Sequence, residues 1–275
     1  MAKTVDLEAY FTRIGYAGPR NASLDTLRAL HLLHPAAIAF ENLDPFLKRG
    51  VKLDLPSLEE KLVRGRRGGY CFEQNGLFLH VLGAMGFKAV GLAARVLRGR
   101  LEEESPRSHM LIRIELDDAA YIADVGFGSF ALTAPLRLFD ESAQKTPHGI
   151  FRLRPAGAEF EEQALVGGEW ETQYRFSLHE QMMQDYEALN WYRATHPDSP
   201  FVNNLMVSRA PPGRRLGLFN NQFTVRDTEA GVISRRSLGT AGEIAEILVA
   251  EFGIALPEPR TDLERALARL VPAPT

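Results

Sequence analysis

The spacing of apolar residues changes near Gly86, and this change limits the chain to a mixed α and β architecture. Before Gly86, apolar residues recur every three or four positions, as in the four leucines between residues 24 and 33. That spacing is typical of a buried helix face. After Gly86, apolar side chains alternate with others, as between residues 110 and 116, which is typical of strands. We therefore predict an α+β, multi-domain chain.

Three segments follow from this pattern. Residues 1–86 are predicted to form a helical bundle, residues 87–180 a sheet or β-barrel, and residues 181–275 a mixed helix and strand region. Within the first segment, Ser23 is expected to cap a helix that ends near Pro35. Ser57 and Glu60 have the spacing of a capping box, which predicts another helix start.

Composition excludes several classes of function. The chain has 275 residues, a formal net charge of −3 and a pI near 6.2, and binding to nucleic acid or to anionic membranes generally needs a basic surface. No apolar run approaches the roughly 20 residues that cross a bilayer. One cysteine and no apolar signal segment at the N-terminus lead us to expect a reducing, cytoplasmic location.

Cys71 lies where a loop is expected to become a helix. Gly68 and Gly69 precede it and should let the backbone turn sharply, and a helical apolar pattern starts just after it. Free backbone N–H groups and the helix dipole would favour a thiolate at that position. The alternative is a small buried apolar side chain, because free cysteines are often buried.

A cysteine nucleophile needs a base, usually histidine, and a third group that fixes the imidazole. Of the seven histidines, His109 stands out because it begins a clear strand pattern, and Asp124 follows on the apparent partner strand. If Asp117 and Asp118 form a two-residue turn, Asp124 comes opposite Leu111, on the sheet face of His109. We therefore predict that Cys71, His109 and Asp124 form one site.

The roles of these residues follow from their chemistry. Asp124 would hold the imidazole of His109 in one tautomer, and His109 would take the proton of the Cys71 thiol. The thiolate would attack an acyl carbon and carry the acyl group as a thioester, with helix-start N–H groups stabilising the oxyanion. The residues by themselves therefore indicate acyl transfer or hydrolysis.

Four motifs strongly resemble those of the arylamine N-acetyltransferase family. They are Phe40-Glu41-Asn42-Leu43, Arg67-Gly68-Gly69-Tyr70-Cys71-Phe72-Glu73-Gln74-Asn75, Ser108-His109-Met110 and Asp124-Val125-Gly126-Phe127-Gly128. Ala39 stands where that family usually has proline. The resemblance implies an N-terminal helical bundle, a β-barrel and an α/β lid around a cysteine-protease-like catalytic core. It also implies a ping-pong reaction in which acetyl-coenzyme A acetylates the cysteine and an arylamine, arylhydroxylamine or hydrazine accepts the acetyl group.

The resemblance also implies roles for further residues. By position, Phe40, Phe127 and Phe201 would line the acceptor pocket. Without the resemblance, core aromatics would be the favoured interpretation of all three. Gly126 and Gly128 would lie in a loop near the pantetheine arm. Glu41 and Arg67 would form a structural ion pair that holds the Cys71 loop. The expected small molecules are acetyl-coenzyme A as donor and an arylamine or hydrazine as acceptor, with no tightly bound cofactor and no metal.

Two alternatives stay open at the level of sequence. A cysteine hydrolase of the papain or transglutaminase kind shares the order Cys, His, Asp, and such triads recur on unrelated folds. A binding protein with a structural Cys71 is the other. The arginines at 64, 66, 214 and 215 could meet coenzyme A phosphates, but a solvated run of charges is the interpretation we favour for them.

Overall fold

Helices fill the first part of the chain and its end, and strands fill the middle. The computed structural model describes residues 4–99, 105–117, 119–228, 230–231 and 233–271. Its α-helices are α1 (Leu7–Ile14), α2 (Leu24–Ala37), α3 (Leu43–Phe46), α4 (Leu55–Leu58), α5 (Cys71–Ala84), α6 (Met183–Thr195), α7 (Pro200–Asn203), α8 (Ala241–Ala250) and α9 (Arg260–Ala268). A π-helical turn spans Glu59–Arg64, and a 3-10 turn spans Gly128–Phe130.

Helix α2 begins as its sequence predicts but ends later. The Ser23 hydroxyl accepts a hydrogen bond from the Thr26 N–H at 3.3 Å, which is the expected N-cap. The helix does not stop near Pro35, because that residue lies inside its last turn and the helix continues to Ala37. Proline already has a helical φ, and near a helix end its missing N–H removes only one bond.

The predicted capping box at Ser57 is wrong. The Asp54 carboxylate is the N-cap of α4 and accepts a hydrogen bond from the Ser57 N–H at 3.0 Å. Ser57 is therefore already inside the helix. The helix continues into the π-helical turn, and Gly65 ends it.

A sheet of eight strands dominates the middle of the described chain. Its order is β5-β4-β3-β2-β9-β8-β7-β6, and neighbouring strands pair antiparallel. The sheet curls until β5 lies beside β7, so it is a nearly closed barrel. These strands are β2 (Lys88–Val96), β3 (His109–Leu116), β4 (Ala119–Ala123), β5 (Leu136–Arg137), β6 (Gln144–Thr146), β7 (Gly149–Ala156), β8 (Glu159–Val166) and β9 (Glu169–Gln181).

The register of the β3–β4 hairpin is the predicted one. Ile112 pairs with Ala123, and Leu116 pairs with Ala119, as a two-residue turn at 117–118 requires. Asp118 itself lies outside the described residues. Continued by one residue, this register brings Asp124 to the level of Leu111, so the hairpin carries both His109 and Asp124 toward one end of the barrel.

A second sheet joins distant parts of the chain. Its order among the described residues is β1-β10-β11-β12-β13, and β1 comes from the N-terminal third. Phe40 pairs with Ser208, and Glu41 with Val207. The strands are β1 (Phe40–Glu41), β10 (Met206–Arg209), β11 (Arg214–Phe219), β12 (Gln222–Asp227) and β13 (Ile233–Ser237).

Helix α5 packs against the barrel. It contacts β2 and β3, and Leu77, Phe78, Val81 and Leu82 on it are buried. Helices α8 and α9 cover the second sheet with a separate apolar core. Burial of these apolar faces stabilises the arrangement, and it fixes the N-terminal end of α5 beside the barrel. No described helix is long and apolar enough to span a membrane.

Candidate active site

Cys71 is the first residue of helix α5, as the sequence predicts. Its side chain is 4% exposed, and its Sγ atom lies 3.8 Å from the carbonyl oxygen of Ser108. The thiol therefore faces the start of strand β3. The unpaired N–H groups and the positive end of the α5 dipole lie at the same place, where they would stabilise negative charge.

The two glycines before Cys71 were predicted to allow a sharp backbone turn, but the structure gives a different reason for them. Neither Gly68 nor Gly69 has a positive φ, so no glycine-only turn occurs there. A Cβ atom on Gly68 would lie 2.0 Å from the carbonyl oxygen of Ala39, and one on Gly69 would lie 2.6 Å from Oε2 of Glu73. Both positions are glycine because neighbouring atoms leave no room for a side chain.

A buried ionic network holds this loop against its neighbours. Nη2 of Arg67 lies 2.8 Å from Oε1 of Glu41 and 3.2 Å from Oδ1 of Asp44. The Lys61 ammonium bridges Asp44 and Glu73 at 2.6 Å each. Glu73 also accepts a hydrogen bond from the N–H of Tyr70 at 3.0 Å. The network therefore fixes the backbone on both sides of the nucleophile position.

His109 and Asp124 form a short, buried contact. Nε2 of His109 lies 2.6 Å from Oδ2 of Asp124, and the two side chains are 3% and 0% exposed. Because Nε2 is used in this contact, Nδ1 is the ring nitrogen left for Cys71. The predicted proximity of the two residues is confirmed, and it follows from the hairpin register.

The electrostatics of the pair favour its charged form. Burial alone would lower the pKa of His109, but the negative charge of Asp124, the hydrogen bond to it and the contact with Cys71 outweigh burial and raise that pKa to about 10. Burial likewise raises the pKa of Asp124, but the His109 charge and hydrogen bonds from His109, Asn75 and Gly126 leave it below its ordinary value. At neutral pH the pair is therefore held as a protonated imidazolium beside a carboxylate.

Asn75 connects helix α5 to strand β3 and to the segment that begins at Asp124. Its Nδ2 donates to Oδ1 of Asp124 at 2.9 Å and to the carbonyl oxygen of Met110 at 2.7 Å. Its Oδ1 accepts the N–H of Val125 at 3.1 Å. Asn75 follows Cys71 by four residues on α5 and so shares its helix face. That spacing was the signal available in the sequence, which gave Asn75 no role.

His31 also holds the backbone of Asp124 in place. The N–H of Asp124 donates to Nε2 of His31 at 3.2 Å, so Nε2 must be unprotonated. Burial lowers the pKa of His31 to about 4, although the contact with Asp124 partly offsets this. His31 is therefore a neutral structural residue.

Gly126 allows the Asp124 loop to approach the nucleophile. A Cβ atom there would lie 2.9 Å from the Cα of Cys71 and 2.8 Å from Nδ2 of Asn75. Its N–H donates to Oδ1 of Asp124 at 2.9 Å. Gly128 has a φ of 65°, a left-handed conformation that glycine adopts without strain. Position 126 therefore requires glycine because there is no room for a Cβ atom, and position 128 favours glycine because of its backbone conformation.

The Cys71 and His109 side chains line a cleft of about 760 Å³. Phe40, Phe127 and Phe201 all line it, together with Gly126 and Gly128. The Phe40 and Phe201 rings meet edge to face at 6.1 Å, and the Phe127 ring lies 4.9 Å from that of His109. The structure therefore brings all the predicted pocket residues to one cavity beside the thiol.

Several site residues were missed by the sequence analysis. Arg193 on α6 hydrogen-bonds the hydroxyl of Ser108, next to His109, and Tyr174 packs its ring 5.2 Å from the imidazole. Arg215 does not lie in a solvated charge run as expected. It is 9% exposed, lines the cleft and donates to the carbonyl oxygens of Ser129 and Ala131. These contacts join residues far apart in the chain, so no local pattern signals them.

The geometry defines a class of site. A buried thiol at a helix start and an imidazole line an aromatic cleft, and a buried carboxylate contacts the imidazole. Such a set is suited to covalent transfer of an acyl group through sulfur. A family model described as N-acetyltransferase matches residues 23–261.

Known proteins support that match over almost the full length. The chain is 42% identical over 253 residues to an arylamine N-acetyltransferase of Escherichia coli, with 92% of this chain and 90% of that protein covered. It is 40% identical to an arylamine N-acetyltransferase / N-hydroxyarylamine O-acetyltransferase of Salmonella typhimurium, covering 91% and 89%. This chain therefore belongs to the arylamine N-acetyltransferase family.

Solved structures give the same result for the fold. The arylamine N-acetyltransferase of Mycobacterium tuberculosis superposes with a TM-score of 0.91 at 36% identity, covering 96% of this chain and all of that one. The Mycobacterium marinum enzyme in complex with CoA superposes with a TM-score of 0.91 at 33% identity, covering 97% of this chain and all of that one.

Proposed function

We propose that this protein transfers an acetyl group from acetyl-coenzyme A to an aromatic amine through a thioester on Cys71. The observation that carries the proposal is that Cys71 and His109 line one aromatic cleft, while buried Asp124 contacts the imidazole. Membership of the arylamine N-acetyltransferase family and the CoA complex of the M. marinum relative support the donor.

In the first half-reaction, His109 takes the thiol proton, and the Cys71 sulfur attacks the acetyl carbonyl carbon. The bond from that carbon to the coenzyme A sulfur then breaks, and the imidazolium gives its proton to the departing thiolate. Asp124 keeps the imidazole in the tautomer and orientation that this exchange needs. N–H groups at the start of α5 would stabilise the oxyanion.

In the second half-reaction, the nitrogen of the acceptor attacks the thioester carbon. His109 accepts a proton from that nitrogen, the bond to the Cys71 sulfur breaks, and the thiolate–imidazolium pair is restored. Coenzyme A has left before the acceptor enters, so one cleft serves both substrates in turn. This order predicts ping-pong kinetics.

The aromatic lining suits a flat, apolar acceptor. The rings of Phe40, Phe127 and Phe201 would contact an arylamine face or edge, as aromatic pairs do in protein interiors. Arylhydroxylamines and hydrazines present the same kind of nucleophilic atom. The name of the S. typhimurium relative, which includes O-acetylation of N-hydroxyarylamines, supports their inclusion among the acceptors.

We also propose the organisation that surrounds this chemistry. Residues 1–86 would form the helical domain that carries the nucleophile, residues 87–180 the barrel domain that carries the base, and residues 181–275 the connecting helix and the α/β lid. The first two would make a cysteine-protease-like catalytic core, because a helix-borne cysteine meets a histidine on a strand. Glu41 and Arg67 would act as structural support, and a reducing cytoplasm would keep Cys71 as a free thiol.

Steady-state kinetics with acetyl-coenzyme A and a panel of aromatic amines and hydrazines test this function. We expect parallel double-reciprocal lines and release of one coenzyme A per acetylated amine. The Cys71→Ala variant should have no activity. Cleavage of peptides or isopeptides without coenzyme A, together with no acetylation of any amine, would favour a cysteine hydrolase and overturn the proposal.

A further inference from the structure

Two histidines on helix α2 reach two different parts of the proposed catalytic site. His31 and His34 are each 0% exposed, and they lie three residues apart, so their side chains leave the same face of the helix. Both rings pack against Phe78 of helix α5, with ring centres 5.9 Å and 5.5 Å from it. Neither histidine takes part in the proposed acyl transfer. Their contacts instead connect one rigid helix to the segments that carry Cys71 and Asp124.

His31 holds the carboxylate side of the site. Its Nε2 accepts the N–H of Asp124 at 3.2 Å, and because a backbone N–H can only donate, the ring proton lies on Nδ1. Nδ1 of His31 has no hydrogen-bond partner within the part of the chain that the structure describes. Leaving a buried N–H unpaired costs free energy, so an apolar ring would suit this position better if packing were its only role. The hydrogen bond to Asp124 is what the imidazole adds.

His34 holds the nucleophile side of the site through Gln74. The side-chain amide nitrogen of Gln74 donates to the carbonyl oxygens of Ala39 and Gly69, at 2.7 Å and 3.1 Å. The amide oxygen of Gln74 therefore faces His34, whose Nε2 lies 2.6 Å away and must carry the ring proton. Gly69 is two residues before Cys71. His34 thus fixes, through one side chain, the loop that leads into the nucleophile.

Burial keeps both imidazoles neutral. It lowers the pKa of His31 to about 4, which the contact with Asp124 offsets only in part. It lowers the pKa of His34 to about 3, and the hydrogen bond to Gln74 again offsets only part of the shift. Nδ1 of His34 then carries no proton and accepts the hydroxyl of Tyr10 at 2.8 Å. The two rings therefore have opposite tautomers, and each keeps the same hydrogen bonds throughout the neutral pH range.

We propose that His31 and His34 are positioning residues that set the separation between the nucleophile and the loop of Asp124. This inference rests on the proposed function. Helix α2 acts as a fixed spacer, with one histidine on the carboxylate loop and the other on the loop before Cys71. The contact between His109 and Asp124 is 2.6 Å long, so a displacement of about 1 Å breaks it or moves the imidazole away from the thiol. A misplacement of that size can lower a rate by about 10²-fold.

The test measures the acetylation of Cys71 in single turnovers, because these separate binding of the donor from the chemical step. His31→Phe and His34→Phe keep a ring but remove its nitrogen atoms. We expect each to lower the acetylation rate constant at saturating acetyl-coenzyme A by about 10- to 100-fold. The acetyl-coenzyme A concentration that gives half of the maximal rate should stay within about twofold of the wild-type value, because neither histidine lines the cleft.

Glutamine at the same positions tests whether the hydrogen bonds are the cause. Its amide group can take the place of Nε2, accepting the N–H of Asp124 in His31→Gln and donating to Gln74 in His34→Gln. Both variants should therefore keep the acetylation rate within about threefold of the wild-type value. If the glutamine and phenylalanine variants lose the same activity, the hydrogen bonds are not the cause and the inference is wrong.

A control on the same helix separates positioning from a general loss of stability. Leu27 is also 0% exposed and lies in the apolar core of the helical segment. Leu27→Ala should lower the melting temperature but leave the acetylation rate of the folded protein unchanged. Equal slowing in Leu27→Ala and His31→Phe would mean that a loosened core is responsible, which overturns the inference. Wild-type acetylation rates in both phenylalanine variants would overturn it as well.

Alkylation of Cys71 by iodoacetamide below pH 8 gives a readout that does not need acetyl-coenzyme A. It should slow in His31→Phe and His34→Phe, because the imidazole no longer holds the thiolate beside it. If the wild-type protein is not acetylated, the proposed function fails, but the alkylation rates still decide whether the two histidines position the thiol.

A measurement on the wild type covers phenylalanine variants that do not fold. Ring-nitrogen NMR spectra should show His31 protonated only on Nδ1 and His34 only on Nε2 between about pH 5.5 and pH 8. The glutamine variants assign the two sets of signals. If either ring titrates near the ordinary pKa of 6.5, the hydrogen bonds on which the inference depends do not form and the inference is wrong.

Discussion

Nε2 of His109 lies 2.6 Å from Oδ2 of Asp124, and both side chains are withdrawn from solvent. This contact leaves Nδ1 of the imidazole as the nitrogen that can exchange a proton with Cys71. The carboxylate would act through the imidazole, because Asp124 contacts His109 and does not line the cleft.

Asp124→Asn should lower kcat by roughly 10³–10⁴-fold, because an amide in place of the carboxylate favours the wrong imidazole tautomer and removes the charge that raises the basicity of His109. The measurement is kcat with acetyl-coenzyme A and an aromatic amine. The rate of Cys71 alkylation by iodoacetamide below pH 8 should fall as well, since less thiolate is present. If Asp124→Asn keeps the wild-type kcat and the wild-type alkylation rate, Asp124 has no part in the mechanism.

The stabilising effect of the His109–Asp124 pair should weaken as pH rises. His109 has a pKa raised from 6.5 to about 10 in the folded protein, so its contribution to the free energy of unfolding is complete below about pH 6.5 and is lost as pH passes through about 10. The melting temperatures of the wild type and of His109→Gln, measured from pH 6 to pH 10, test this. The difference in melting temperature between the two proteins should become smaller as pH rises. A difference that stays constant with pH would contradict a charged His109–Asp124 pair.

Asn75→Ala should cost about 1–3 kcal/mol of stability, because it leaves the carbonyl of Met110 and the N–H of Val125 without these buried partners. Asp124 would also lose a hydrogen bond, so we expect kcat to fall while KM for acetyl-coenzyme A changes little. Chemical denaturation and steady-state kinetics measure the two effects. We expect Asn75 to act by positioning Asp124. If the variant loses stability but keeps the wild-type kcat, Asn75 has no part in orienting Asp124.

Gly126→Ala should reduce activity strongly, because the added Cβ would lie 2.9 Å from the backbone of Cys71 and must push the loop away from α5. Gly83→Ala is the control, on helix α5 against which this loop packs. A Cβ there meets nothing within 4 Å, so the change should leave activity intact and stabilise the protein by about 0.5–1 kcal/mol. Equal activity of Gly126→Ala and the wild type would contradict the close packing described here.

Glu162→Gln should stabilise the protein relative to the wild type more strongly as pH rises. Glu162 is 1% exposed, and both its carboxyl oxygens lack a described hydrogen-bond partner. Burial and the charge of Asp124 raise its pKa well above the ordinary value, although His109 and Arg215 oppose this. The wild type therefore loses stability as pH rises from about 4.5 through the raised pKa, and a neutral amide avoids that loss. Melting temperatures of Glu162→Gln and the wild type, measured from pH 5 to pH 9, test this. If the difference in melting temperature between the two proteins does not grow with pH, the wild-type Glu162 is not neutral.

Local patterns predicted much of the fold and the core of the candidate site. The two-residue turn at 117–118 fixed the pairing of Ile112 with Ala123, because a hairpin has one register for a given turn length. That register was enough to place His109 near Asp124. Cys71 was found at a helix start because the apolar spacing of α5 begins just after it.

Features that depend on distant contacts could not be predicted in the same way. Strand β8 (Glu159–Val166) has a largely polar sequence and a weak alternation, so only its pairing with β7 and β9 identifies it. The pairing of β1 with β10 joins residues 40–41 to residues 207–208. The stacking of Arg98 and Arg226 on Phe130 likewise depends on three elements that are separate in the chain. Tertiary packing decides these contacts, and no local propensity encodes them.

The most direct test of the central claim is the intact mass of the protein after incubation with acetyl-coenzyme A alone. We predict one added acetyl group on the peptide that contains Cys71, and its complete removal when an aromatic amine or a hydrazine is added. Cys71→Ala should gain no acetyl group under the same conditions. A wild-type protein that stays unmodified, or that carries the acetyl group on another residue, would contradict a Cys71 thioester.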